Sequence, residues 1–291
     1  MKHCLILILI LILSFSLQGF STPQVPDKLI YKGDTLRVYL YLPDDFYKFD
    51  TMTFKLDTVT IDSFEFINSI LTVSLFGDKK TCKTTGCGRE YQATWEIIAG
   101  QLYLTGIYSC CYYEDSIKAD LTSLFKEKVI DGKVKADWIT GDFISFQGKR
   151  LLYDHDMGEG GIFEYELELH FEDGKLIGTQ LYDNRKTKQS EYSQNGQKTI
   201  EYIYSNINWD ILPKLDTTVR VVVEFSANED GIIDSAKIRR GYNEIYDQEA
   251  IRVVKSIPEW DVYFRKGKHV RMPWNMPITF SEENRLEYKK E

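Results

Sequence analysis

Few residues in this chain have both the type and the spacing to do chemistry, and the cysteines come first. Cys4 lies in an apolar run at the N-terminus; the remaining four are Cys82, Cys87, Cys110 and Cys111. An even count in an exported chain suits two disulfides. Direct bonding of the adjacent pair would force a strained ring, so one bond should run from each of Cys110 and Cys111 to the Cys82/Cys87 loop. Which goes to which stays open. The rival chemistry is a four-thiolate zinc site, but C-x4-C followed by adjacent cysteines departs from the paired C-x2-C spacing of tetrahedral zinc. A second cluster, Asp154, His155, Asp156 and Glu159 before Gly160-Gly161, has oxygen ligands for calcium. Counted from Asp154, however, Glu159 stands where an EF-hand loop needs glycine, so a solvated turn is expected. His170 alternates with Glu166 and Glu168 on the wet face of a strand and shows no base or acid partner. His269, between Lys268 and Val270, is expected at the surface. No G-x-S-x-G, H-E-x-x-H or glycine-rich phosphate loop occurs. The expectation is a protein with no catalytic residues, no metal and no cofactor.

The compartment follows from the first residues. Met1, Lys2 and His3 precede an uncharged apolar run over 4–13, too short to span a bilayer and suited to a signal peptide. Small residues at Gly19 and Ser21 offer cleavage after Ser21, giving a signal over 1–21 and a periplasmic or secreted protein. Retention of the segment as an anchor is the alternative. The mature chain of about 270 residues suggests two domains. Hydrophobic residues make up 43% and aromatics 14%, enough for real cores, and the net charge of −8 argues against nucleic acid, whose binders need a basic stripe.

Short β-type runs separated by turns fill residues 22–183, and the fold class is α+β with a mostly antiparallel N-terminal domain. Strands are expected at 36–42 (LRVYLYL) and 71–76 (LTVSLF), with hairpins at 95–108 through Ala99-Gly100 and at 165–182 through Asp173-Gly174. Glycine followed by lysine recurs at Gly132, Gly148 and Gly174 and suggests hairpin turns at each. One helix should interrupt the sheet, capped by Asp115 or Ser116 and carrying a core stripe of Ile117, Leu121, Leu124, Phe125 and Val129. Tyr91, Tyr103, Tyr108, Tyr112 and Tyr113 crowd the middle of this domain; cross-strand packing or ligand recognition would use them. Residues 184–202 are polar and are read as the interdomain linker.

The last part, 203–291, reads as strand, strand, helix, strand. VRVVVEF at 219–225 puts Val219, Val221, Val223 and Phe225 on one face, the NEDG turn at 228–231 returns the chain into a second strand, and Ala250, Ile251, Val253, Val254 and Ile257 give the helix one apolar face before Pro258 stops it. A closing strand is expected over 270–280. In the order VRVVVEFSANEDGIIDSAKIRRG, YDQEAIRVVKSIPEW, GKHV and MPITF, these residues resemble the TonB C-terminal domain family over about 203–280. Thr217 and Thr218 stand where that family often has glycine. The resemblance implies a non-enzymatic module that docks a partner peptide by strand addition, with a protein partner in the cell envelope, such as an outer-membrane transporter. It places the partner-binding residues on the closing strand: Asn275, Met276, Ile278, Thr279 and Phe280. Met276, Ile278 and Phe280 also suit the core, and Pro277, lacking an N–H, is tolerated only facing away from a ladder. The family's energy-coupling role needs a membrane anchor and a proline-rich spacer; with seven prolines in the whole chain and a cleavable signal, that role is the alternative. A second alternative is an inhibitor or ligand-binding protein acting through the N-terminal domain. Membrane contact would then come only through partners, unless the signal stays uncleaved.

Overall fold

The computed structural model describes residues 24–41, 75–77, 79, 81–82, 84–87, 89, 91–153 and 160–289. The signal segment, residues 71–74 and the Asp154–Glu159 cluster lie outside the described residues, and Leu75 and Phe76, expected to end a strand over 71–76, are helical. What is described is a strand-rich α+β chain.

The N-terminal half builds one curled sheet. It opens with β1 (Asp27–Tyr31) and β2 (Asp34–Tyr41), followed by the hairpin β3 (Tyr91–Ile98) and β4 (Gln101–Ser109). Next come α1 (Tyr112–Asp115), α2 (Leu121–Phe125), β5 (Val129–Ile130) and β6 (Lys133–Lys135), and then three long strands, β7 (Gly141–Tyr153), β8 (Gly161–Glu172) and β9 (Lys175–Asp183). The order is β3-β1-β2-β7-β8-β9-β4-β6-β5, and β3 also pairs with β4. The sheet therefore bends back on itself into a ring, antiparallel except for β1 beside β3. Curling the sheet in this way encloses a core and leaves β9 and β4 joined at one pair only, Lys175 opposite Gln101. That core holds Leu29, Val38, Leu102, Phe143, Leu169 and Phe171, all but unexposed, with Trp95 edge-on to Phe143 at 5.7 Å. Each such side chain contributes roughly 1.5–3 kcal/mol by leaving water. Asp27 is buried in the same wall. Its carboxylate accepts from Ala93 N–H (2.9 Å), Trp95 Nε1 (3.1 Å) and both guanidinium nitrogens of Arg89, so the buried charge is fully met.

The hairpins expected at 95–108 and 165–182 form, with Ala99, Gly100, Asp173 and Gly174 all at positive φ. Gly148 makes no hairpin: it sits at a register shift within β7, at φ 77°, where β7 bends over β8. The helix expected from Asp115 or Ser116 is also shorter than its stripe. Ser116 turns left-handed at φ 55°, and the backbone of Ile117 and Ala119 bonds to β4 instead, Ser109 N–H to Ile117 C=O and Ala119 N–H to Ile107 C=O. The cap is Asp120, which accepts from Thr122 N–H, and the α-helix covers only 121–125 before a 3-10 turn over Lys126–Lys128. The stripe packs on the core all the same.

The second half begins earlier than its polar composition suggests. In the segment read as a linker, α3 (Glu191–Gln194) and α4 (Gly196–Asn206) form on the caps Ser190 and Asn195, and Asn184, Thr187, Ser190 and Thr199 are buried. Polar residues can be interior when each finds a partner, and hydropathy alone cannot reveal that. Beyond it lie β10 (Val219–Ala227), β11 (Ile233–Arg240), α5 (Glu244–Lys255), the small hairpin β12 (Tyr263–Arg265) and β13 (Lys268–Val270), β14 (Trp274–Phe280) and α6 (Glu282–Tyr288). The closing strand is thus shorter than 270–280, because Val270 pairs with Tyr263 in the small hairpin. The sheet order is β11-β10-β14. Val221, Val223, Phe225, Ile278 and Phe280 face α5, whose Ala250, Val253 and Val254 are wholly buried.

Candidate functional site

β14 pairs with β10 from Phe280 opposite Val219 to Trp274 opposite Phe225, and it is an edge strand of its sheet. The five residues assigned to partner binding divide by face. Ile278 and Phe280 are unexposed and Met276 half-buried, all in the core against α5, so their side chains hold the strand rather than read a partner. Asn275 and Thr279 lie on the other face, and Asn275 Oδ1 accepts from Arg239 Nη1 at 3.2 Å.

Backbone polarity decides what the edge can accept. Thr279 N–H donates to the Tyr204 hydroxyl at 3.1 Å, and its carbonyl accepts from Asn284 Nδ2 at 2.9 Å, so Thr279 points its polar groups away from β10. By strand alternation Asn275 and Pro277 do the same, and the N–H that Pro277 lacks falls on the open side. Tyr204 of α4 and Asn284 of α6 therefore seal the edge at Thr279 from within. Below it, residues 274–277 pair with β10 alone among the described residues. The seal is itself braced: Arg285 donates to the carbonyls of Trp209, Leu212 and Pro213, and Glu282 accepts from Leu215 N–H, which pins the 207–218 segment under α6. Sequence reasoning missed Tyr204, Asn284 and Arg285, which act here by bonding main-chain groups, those of Tyr204 and Arg285 more than 70 residues away.

The β12–β13 hairpin joins the two halves. Lys188 and Val262 exchange backbone hydrogen bonds of 3.0 Å, and Phe264 N–H donates to Thr187 Oγ1 at 2.9 Å. At the tip, Asn184 bridges: its Nδ2 donates to Glu166 Oε1 at 2.7 Å while its Oδ1 accepts from Gly267 N–H at 3.0 Å. Asp261, buried, accepts from Ser190 N–H (2.6 Å), Ser193 Oγ (2.5 Å) and Tyr263 O–H (2.8 Å). Apolar contact continues this polar seam through Tyr263 on Leu152 and Ile162.

His170, expected alone on a wet face, has a partner on the neighbouring strand: its Nδ1 lies 2.6 Å from Asp142 Oδ1. The hydrogen bond to Asp142 holds its pKa above the ordinary value, with Glu172 adding to the effect. Beside it, burial raises the carboxyl pKa of Glu168, but Lys266 at 2.8 Å outweighs that and keeps the group ionised. The Tyr182 phenol is pushed up by burial and by Glu168. This network pairs charges across strands and ties the hairpin tip to the barrel wall. Among the described residues no set of His, Cys, Asp and Glu is arranged to hold a metal. His269 is half-buried against the Phe264 ring at 5.7 Å.

The four cysteines pair as Cys82–Cys111 and Cys87–Cys110, with Cα separations of 5.9 and 6.3 Å. The adjacent cysteines sit where β4 ends and α1 begins, so the chain can turn each toward a different partner. Tyr108, Tyr112 and Tyr113 stack edge-on around this corner, with Tyr113 89% exposed and its hydroxyl accepting from Lys28 Nζ.

These features define a class, a disulfide-bonded, strand-rich α+β protein whose two halves are joined by a polar seam, and the disulfides fit an oxidising extracellular or periplasmic environment. Among the described residues no helix is long and apolar enough to cross a membrane. No family model matches the chain, and no curated protein or solved structure matches it.

Proposed function

We propose that this is an exported, non-enzymatic protein-binding protein whose C-terminal unit docks an extended segment of a cell-envelope partner beside β14, as its resemblance to TonB C-terminal domains implies. The observation that carries the reading is the sheet order β11-β10-β14, which among the described residues leaves β14 with a neighbour on one side over residues 274–277. An edge strand offers N–H and C=O groups that an incoming strand can satisfy, while side chains on alternate positions select it. Here the offered groups are the N–H and C=O of Asn275 and the carbonyl of Pro277, a short docking ladder extended by side-chain contact with Asn275 and Arg239.

The test is a substitution that touches only the open side. Proline at Ile278 would remove an N–H from the β10 ladder and damage the sheet itself. Asn275→Pro removes an N–H that points outward. Capture of partners from a cell-envelope extract by wild type and Asn275→Ala, and its loss with a folded Asn275→Pro, is the expected result. Equal recovery by all three would refute docking at this edge.

A further inference from the structure

The curled N-terminal sheet is not fully closed. β9 and β4 meet at a single pair, Lys175 opposite Gln101, where Leu176 N–H donates to Gly100 C=O and Leu102 N–H donates to Gly174 C=O. Beyond that point β4 pairs with β6 through Tyr103 and Leu104, and β9 continues with β8 alone among the described residues. Which groups face the gap follows from the β8 side. Asn184 N–H is bonded to Glu164 C=O, so by alternation Asp183, Leu181 and Thr179 turn their N–H and C=O outward. Gln180 Nε2 reaching the Leu181 carbonyl at 3.1 Å agrees with this. Ile177 and Leu181 are 55% and 53% exposed, and residues 177–182 carry neither charge nor proline; the guard present is a β-bulge at Ile177, the extra residue between Leu176 opposite Phe171 and Gly178 opposite His170.

We propose that this seam is filled by β9 of a second copy of the chain, the two strands running antiparallel about a two-fold axis at Thr179. The strand is its own complement in that register. Leu181 is carried toward Ile177 of the second copy, the bulge residue that ends the ladder, and Gly178, which has open space beside it, stands opposite the long side chain of Gln180. Thr179 meets its own symmetry mate in a hydrogen-bonded pair. Asp183 of each copy is carried toward Lys175 of the other. A parallel pairing would bring like charges together at both ends, and moving the axis to Gln180 would set Ile177 against Asp183. Gln101 already occupies the edge beside Lys175 and the bulge at Ile177 ends the regular alternation, so the ladder is short and centred on Thr179. Such a contact is isologous and closes at two subunits. It lies on the opposite half of the chain from β14, so it stands or falls independently of partner docking there.

Sedimentation equilibrium of the oxidised full chain tests it. Wild type should be a dimer. Thr179→Pro removes an outward N–H without touching the β8 ladder, and Leu181→Lys sets a charge against Ile177 of the other copy and diagonal to its Lys175; each should weaken association by about tenfold or more. Should the proline variant fail to fold, as judged by its melting profile, the lysine variant gives the same reading. Thr179→Cys should give a dimer linked through residue 179, because hydrogen-bonded antiparallel pairs hold their Cα atoms about 5.5 Å apart, within disulfide reach. A wild-type monomer, or a dimer unaffected by Leu181→Lys and not linked through Cys at 179, overturns the proposal. A monomer that gains mass only with a foreign extended peptide would do so too, naming that peptide as the occupant.

Discussion

His170 and Asp142 face each other across β7 and β8, and their pairing makes one part of the fold's stability depend on pH. Folding gives the imidazolium a carboxylate partner, so the histidine's pKa is raised in the folded state above its ordinary 6.5. The stabilisation is complete below the unfolded pKa and is lost as pH climbs through the folded one. A His170→Asn variant should therefore melt below wild type at about pH 5.5, below the unfolded pKa, and the gap should narrow as pH rises. A gap that widens with pH would show that Asp142 and Glu172 do not govern this residue. The sequence hides the pair because Asp142 and His170 are distant in the chain and meet only through strand register. The same holds for Asn184: its polarity suggests solvent, yet it is unexposed, satisfied by Glu166 and Gly267.

Among elements, β14 shows how an edge can be shortened from within. The Tyr204 hydroxyl and Asn284 amide take the outward groups of Thr279. Tyr204→Phe leaves that N–H without its partner and should cost about 1 kcal/mol, read by urea denaturation. It should also lengthen the open ladder by one residue and tighten any strand that docks there. Stability unchanged and docking unchanged would mean the hydroxyl contributes nothing. The strands themselves were legible wherever alternation and turn chemistry agreed, as in 165–182 and 219–239. The helix starting at Asp115 was not, because apolar spacing of three and four residues also arises when two short pieces pack successively on one core. The β12–β13 hairpin was passed over as a turn around Gly267, since three-residue strands leave too little pattern to read.

For the whole molecule, the polar seam makes two halves answer as one. The hairpin tip and Asn184 carry the directional contacts to the barrel wall through Glu166, Glu168 and Gly161, and Asp261 anchors the 190–193 segment beside that hairpin. Wild type is expected to unfold in a single calorimetric transition. Asn184→Ala combined with Asp261→Ala leaves Glu166 with the Lys266 N–H alone and Gly267 N–H and Ser190 N–H without these partners, and should split that transition into two. One undivided transition in the double variant would place the coupling in the apolar contact of Tyr263 with Leu152 and Ile162 instead. The two cross-links were legible as a set, one from each adjacent cysteine, but their assignment depends on how the chain turns after β4.

That assignment bears on how the protein must be made. Cys110 and Cys111 are neighbours, so the wrong isomer, with Cys82 joined to Cys110 and Cys87 to Cys111, differs from the native one by a single step along the chain. Early oxidation before β4 and α1 have formed has little to tell the two apart. Reshuffling by thiol–disulfide exchange is then needed to reach the native set. Expression in a compartment with an active isomerase should yield one species on non-reducing peptide mapping, and oxidation of the unfolded chain should yield a scrambled mixture.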